Sequence, residues 1–132
     1  MENRKEIMQS EPTKSELEIL QVLWQFGPST VRFVNDTLNE QKRSVQYTST
    51  LKLMQIMAEK GMLNPDKSSM KHIYSAAVEE KKTKGLLLEK FVDNLYQGSS
   101  SSLMTQLLGN KRTTQQELDE IRAMLDKIDK KK

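Results

Sequence analysis

Apolar residues return at helical spacing from the thirteenth residue onward. Leu17, Leu20, Leu23 and Trp24 recur at i, i+3, i+6 and i+7 with Ile19 and Phe26 beside them, and Gly27-Pro28 closes the run. Thr13 with Glu16 three residues later matches a capping box, so the first helix is predicted to start there. Ser29-Thr30 offers the next cap, and Val31, Val34 and Leu38 form a second, shorter stripe that ends in the polar run from Asn39 to Arg43. A third helix is expected from near Ser44 to Tyr47 through Glu59-Lys60-Gly61, where a late lysine and a following glycine signal a stop. Thr50, Leu53, Met54 and Met57 would face inward, leaving Thr48, Ser49, Lys52 and Gln55 on the opposite side.

Past Gly61 the period changes. Met62-Leu63-Asn64-Pro65-Asp66, the turn-rich Lys67-Ser68-Ser69 and the alternating stretch from Met70 to Ala76 predict two short strands and a turn, with His72 in the second strand beside Lys71. A lone strand pair is marginal in water and must pack on the helices before it. Three helices followed by a hairpin with a basic tip form the winged-helix arrangement.

From Glu79 the pattern is helical again. Leu86, Leu87, Phe91, Val92 and Leu95 form a stripe that Gly98 and the serines from Ser99 to Ser102 interrupt, the serines capping a short helix that carries Leu103, Met104, Leu107 and Leu108. After the turn Gly109-Asn110-Lys111-Arg112, Thr113 or Thr114 caps a last helix, with Glu117 placed for a capping box, a stripe of Leu118, Ile121, Leu125 and Ile128, and a fraying end at Lys130-Lys131-Lys132. These three helices, the last two expected to be short, present more apolar surface than they can hide on one another. A symmetric partner would cover it, through Leu87, Phe91 and Leu95, Leu103 and Leu107, and Leu118, Ile121 and Leu125. The other reading is a compact monomeric bundle. The expected fold is thus mainly α: residues 1–78 a winged-helix domain of three helices plus a two- or three-stranded wing, and residues 79–132 a helical dimerisation domain.

Composition narrows the function. With 132 residues and no cysteine, thiolate metal sites, disulfides and thiol catalysis are excluded, and the single histidine cannot supply a two-histidine metal centre. None of the five glycines falls in a phosphate-cradling motif, and no paired carboxylates or nucleophile-base sets stand at useful spacing, so neither an enzyme nor a cofactor is expected. No apolar run approaches a membrane span and the N-terminus lacks a signal peptide's apolar core, which predicts a cytoplasmic protein with no membrane insertion. Trp24 on the inner face reads as core packing rather than a ligand stack, and Met54 and Met57 as core filler.

Charge then singles out one region. Residues 1–40 hold four basic against seven acidic side chains, whereas residues 41–71 hold six against two. The basic middle contains the third helix and the hairpin, whose polar face suits phosphates and base edges in a major groove. Candidate DNA contacts are Arg43 before the helix, Tyr47, Thr48, Ser49, Lys52 and Gln55 on it, and Lys67 and Lys71 beside the hairpin turn. Lys52 could reach a base edge or only a phosphate, since spacing does not fix the helix's rotation. The face could also be an ordinary solvated one, in a winged helix that binds other proteins without touching nucleic acid.

Several of these stretches, taken in order, resemble the penicillinase-repressor family of bacterial winged-helix repressors. They are Ser15-Glu16-Leu17-Glu18-Ile19-Leu20 with Trp24, Gln46-Tyr47-Thr48-Ser49-Thr50, Met57-Ala58-Glu59-Lys60-Gly61-Met62, Tyr74, Tyr96-Gln97-Gly98-Ser99 and Glu117-Leu118-Asp119-Glu120-Ile121-Arg122. The resemblance spans Thr13 to Ile128 and implies a homodimeric repressor whose winged helices read two half-sites of double-stranded operator DNA. It maps the recognition helix onto Tyr47 to Lys60, with Thr48, Ser49 and Lys52 facing the groove and Tyr47 near the backbone. The copper-responsive branch of the family uses a C-terminal cysteine motif, which this chain lacks. The beta-lactam branch is cut by a membrane sensor protease, the further partner implied, at an Asn-Phe pair in a stretch matching Thr105-Gln106-Leu107-Leu108. Here the pair is Gln106-Leu107, so the resemblance does not carry that cleavage over.

Overall fold

In the computed structural model, which describes residues 11–68, 70–110 and 112–131 without the side chain of Lys131, Thr13 begins the first helix as its sequence predicts. The expectations placed on the first ten residues, Ser69, Lys111, the Lys131 side chain and Lys132 lie outside the described residues. Thr13 N–H donates to Glu16 Oε1 at 2.9 Å and Glu16 N–H donates back to Thr13 Oγ1 at 3.2 Å, pairing two groups that a bare helix end would leave unmet. Helix α1 runs Lys14–Phe26 and buries Ile19, Leu20, Val22 and Leu23. It ends at Gly27, whose φ of 81° lies in the left-handed region that glycine adopts without a Cβ clash.

Thr30 has two duties. It closes β1 (Ser29–Thr30), and its hydroxyl accepts the Phe33 N–H at 3.1 Å to cap α2 (Val31–Gln41). Val31, Val34 and Leu38 of α2 are buried. Helix α3 (Tyr47–Glu59) buries Thr50, Met54 and Met57, with Leu53 only partly covered beside them. Two strands follow, β2 (Leu63–Asp66) and β3 (Ile73–Ala76), and β1 completes an antiparallel sheet in the order β1-β3-β2. Pro65 pairs with Tyr74 on one side of β3 and Ser29 with Tyr74 on the other. The wing is therefore three-stranded. His72 is not in the second strand as expected: it precedes β3 with φ at 52°, a reversal that brings the chain out of the turn.

Among the described residues, every buried one lies in the stretch from Glu16 to Tyr74. Met54, Met57 and Met62 fill the space between the α1 stripe and the sheet, and Trp24 packs against this core while its indole N–H donates to the Val78 carbonyl at 3.0 Å. That bond satisfies the ring's one donor and ties the chain after β3 back to α1.

The chain divides into two compact units between Gly85 and Leu86, inside helix α4 (Glu80–Tyr96). The second unit continues with α5 (Ser100–Leu108) and α6 (Gln115–Lys131). Ser99 caps α5 by accepting the Ser102 N–H at 3.1 Å, and Thr114 forms a reciprocal box with Glu117 at the start of α6. The last helix is not short: its 17 residues equal those of α4. No Gly or Pro interrupts Gln115–Lys131, so nothing in that stretch ends the helix sooner. No described residue of α4 or α5 is buried, and Phe91, Leu95, Leu107 and Leu125 are all substantially exposed.

Candidate nucleic-acid interface

The buried stripe of α3 fixes what its other side presents. With Thr50, Met54 and Met57 turned into the core, the side chains of Thr48, Ser49, Lys52 and Gln55 are all exposed. They offer two hydroxyls, an ammonium and a carboxamide on little more than two turns of helix.

A polar cluster holds this helix in place. Asn35 of α2 is buried, and its amide donates to Thr50 Oγ1 at 2.8 Å and to the Val45 carbonyl at 3.1 Å. Asn39, one turn later, donates to the same carbonyl at 2.9 Å and accepts the Val45 N–H at 3.1 Å. The turn between α2 and α3 is thus bonded on both sides of Val45, and the buried hydroxyl and amide are paired with one another, as burial requires. At the far end of α3, Lys60 Nζ stands 2.8 Å from Glu16 Oε2. Burial raises the pKa of the Glu16 carboxyl, but the Lys60 ammonium and the Thr13 N–H outweigh it and hold the group below the usual glutamate range.

The other expected contacts fall in different settings. Arg43 Nη2 lies 3.1 Å from Glu18 Oε1 and 3.3 Å from Ser15 Oγ, so its guanidinium is engaged by α1 rather than extended beside α3. Lys67 and Lys71 stand exposed in the turn between β2 and β3. That turn is shaped by Asp66, whose carboxylate accepts the Ser68 hydroxyl and, at 3.0 Å, the Ser68 N–H; these bonds keep it below the ordinary aspartate range.

Tyr47, Gln55 and Lys71 come together along one open cleft of about 460 Å³, which His72 also lines. A residue the sequence reading passed over joins them. Arg32, in the first turn of α2, places its guanidinium carbon 4.1 Å from the centroid of the Tyr47 ring. In sequence it is a lone cation between a buried valine and an exposed phenylalanine, and nothing local announces that Tyr47 will lie beneath it. Thr48, Ser49, Lys52 and Lys67 do not line this cleft. Among the described residues, no three histidine, aspartate or glutamate side chains gather where they could hold a metal ion, and no helix is long and apolar enough to cross a membrane.

A family model described as penicillinase repressor matches residues 12–127. No curated protein matches the chain.

Proposed function

Since the chain belongs to the penicillinase repressor family, a family of regulators rather than enzymes, we propose that it is a homodimeric repressor that binds operator DNA through α3 and the wing. The carrying observation is the solvent face of α3, where Thr48, Ser49, Lys52 and Gln55 stand exposed opposite the buried Thr50, Met54 and Met57. Such a face can enter a major groove and exchange hydrogen bonds with base edges. Lys67 and Lys71, exposed in the wing turn, are ammonium groups suited to phosphates.

Dimerisation is the second half of the reading. Residues 1–78 would recognise DNA and residues 79–132 would associate. A unit with no buried residue in α4 or α5 and with Phe91, Leu95 and Leu107 exposed gains most by covering those side chains with a second copy. Acting in the cytoplasm, the dimer would hold two half-sites. A membrane sensor protease is a further proposed partner.

The test is binding to duplexes selected by the protein from a random library and to scrambled duplexes, each at two salt concentrations. A repressor prefers the selected sequence and loses affinity steeply with salt. A chain that shifts neither duplex even at low salt would instead be a protein-interaction module.

A further inference from the structure

The cleft beside α3 has a chemical character of its own. Its rim carries Arg32, Lys71 and His72, its floor is formed by apolar carbon of Leu51, Val31 and the Tyr47 ring, and no carboxylate lines it. The two cations, Arg32 and Lys71, over an apolar floor suit a ligand that is itself anionic at one end and apolar at the other. Arg32 is the better placed of the two. Stacking on Tyr47 at 4.1 Å holds one face of its planar guanidinium without using its N–H donors, which stay available for an oxygen fork. Val31 beneath is only 2% exposed and fixes the first turn of α2, so the stack is mounted on the core.

The geometry points to this cleft as the seat of one nucleotide of the DNA backbone, its phosphate on Arg32 and its deoxyribose against Leu51 and the Tyr47 ring. The inference rests on the proposed DNA binding and adds a contact at the border of the groove-reading face, with which the cleft shares Gln55. Tyr47 and Gln55 belong to α3 itself, so a strand seated here borders the groove that Thr48 and Lys52 would enter. A seat on the phosphate carries no base preference but fixes the register of the protein on the duplex.

A phosphate ester could also come from a free nucleotide, and the experiment separates the two sources. Wild type, Arg32→Ala, Arg32→Lys and Tyr47→Leu are titrated against a mixed-sequence duplex over a range of salt, and against labelled thymidine monophosphate. For Arg32→Ala the slope of log affinity against log salt should fall by about 1, with about tenfold weaker binding at low salt. The melting temperature should not change. Arg32→Lys should restore the slope, and Tyr47→Leu should weaken binding while leaving a slope nearer wild type. Thymidine monophosphate should neither bind at micromolar concentration nor displace the duplex.

An unchanged slope for Arg32→Ala in a chain that still binds DNA would overturn the seat and leave the DNA reading intact. Arg32-dependent binding of the free nucleotide would assign the cleft to that ligand instead. A wild-type chain that binds no duplex would overturn both.

Discussion

The buried amide of Asn35 donates to the hydroxyl of Thr50 at 2.8 Å, so the helix proposed to read DNA is locked to the helix before it by one side-chain pair. Asn35→Ala removes that bond and the one to the Val45 carbonyl, leaving both acceptors without it. The expected loss is about 1–3 kcal/mol in urea unfolding. Affinity for the selected duplex should fall further than stability alone accounts for, because α3 loses its fixed rotation. Equal affinity at protein concentrations where both chains are folded would show that the pair stabilises without positioning.

Lys67 and the residues of α3 should separate in their sequence dependence. Lys67→Ala is expected to weaken selected and scrambled duplexes alike and to lower the salt slope by about 1. Thr48→Ala or Lys52→Ala should cost about 1–3 kcal/mol on the selected duplex and much less on the scrambled one. Equal losses on both duplexes for Lys52→Ala would make it a backbone contact.

The solvent-facing side chains of the second unit predict its assembly. Sedimentation at micromolar concentration should give twice 15.3 kDa for the wild-type chain. Leu95 is 62% exposed, and Leu95→Asp should give monomers of unchanged helicity with weakened duplex binding, since each half-site alone makes few phosphate contacts. Leu118→Asp should act in the same direction. A wild-type monomer that does not assemble on DNA would refute the dimer.

Glu16 and Lys60 make stability depend on acidity. The folded carboxyl is depressed below its unfolded value, so its contribution is present above the unfolded pKa of about 4.3 and is lost as the pH falls through the folded one. Urea midpoints should therefore drop as the pH is lowered through that window. Lys60→Met should cost about 1–2 kcal/mol near neutrality, water around the part-exposed ammonium screening the pair, and should flatten the acid limb. A variant with the same pH profile as the wild type would show that the pair contributes nothing.

Local chemistry was legible in the sequence wherever the deciding partners are neighbours. Thr13 with Glu16, Ser99 before its helix and Thr114 with Glu117 all cap as their spacing predicts, and the α3 stripe turns Thr50, Met54 and Met57 inward. What escaped reading depends on residues far apart. Ser29 and Thr30 look like a cap alone until Ile73 and Tyr74 arrive to pair with them, and the same distance hides the Arg32–Tyr47 stack. The pairing of Arg43 with Glu18 and Ser15, two helices before α3, was hidden by the same distance. His72 read as part of an alternating strand, and only the backbone reversal at that position shows where pairing starts.

The sheet's borders carry a last consequence. A protein concentrated along DNA brings many copies of its wing close together, and a bare strand edge would invite them to zip into fibrils. Here one border, β1, is only two residues long. The other, β2, holds Pro65, which has no N–H to offer an incoming strand, next to the charge of Asp66. Wings brought together by the proposed binding to one duplex would therefore crowd without polymerising through their backbones.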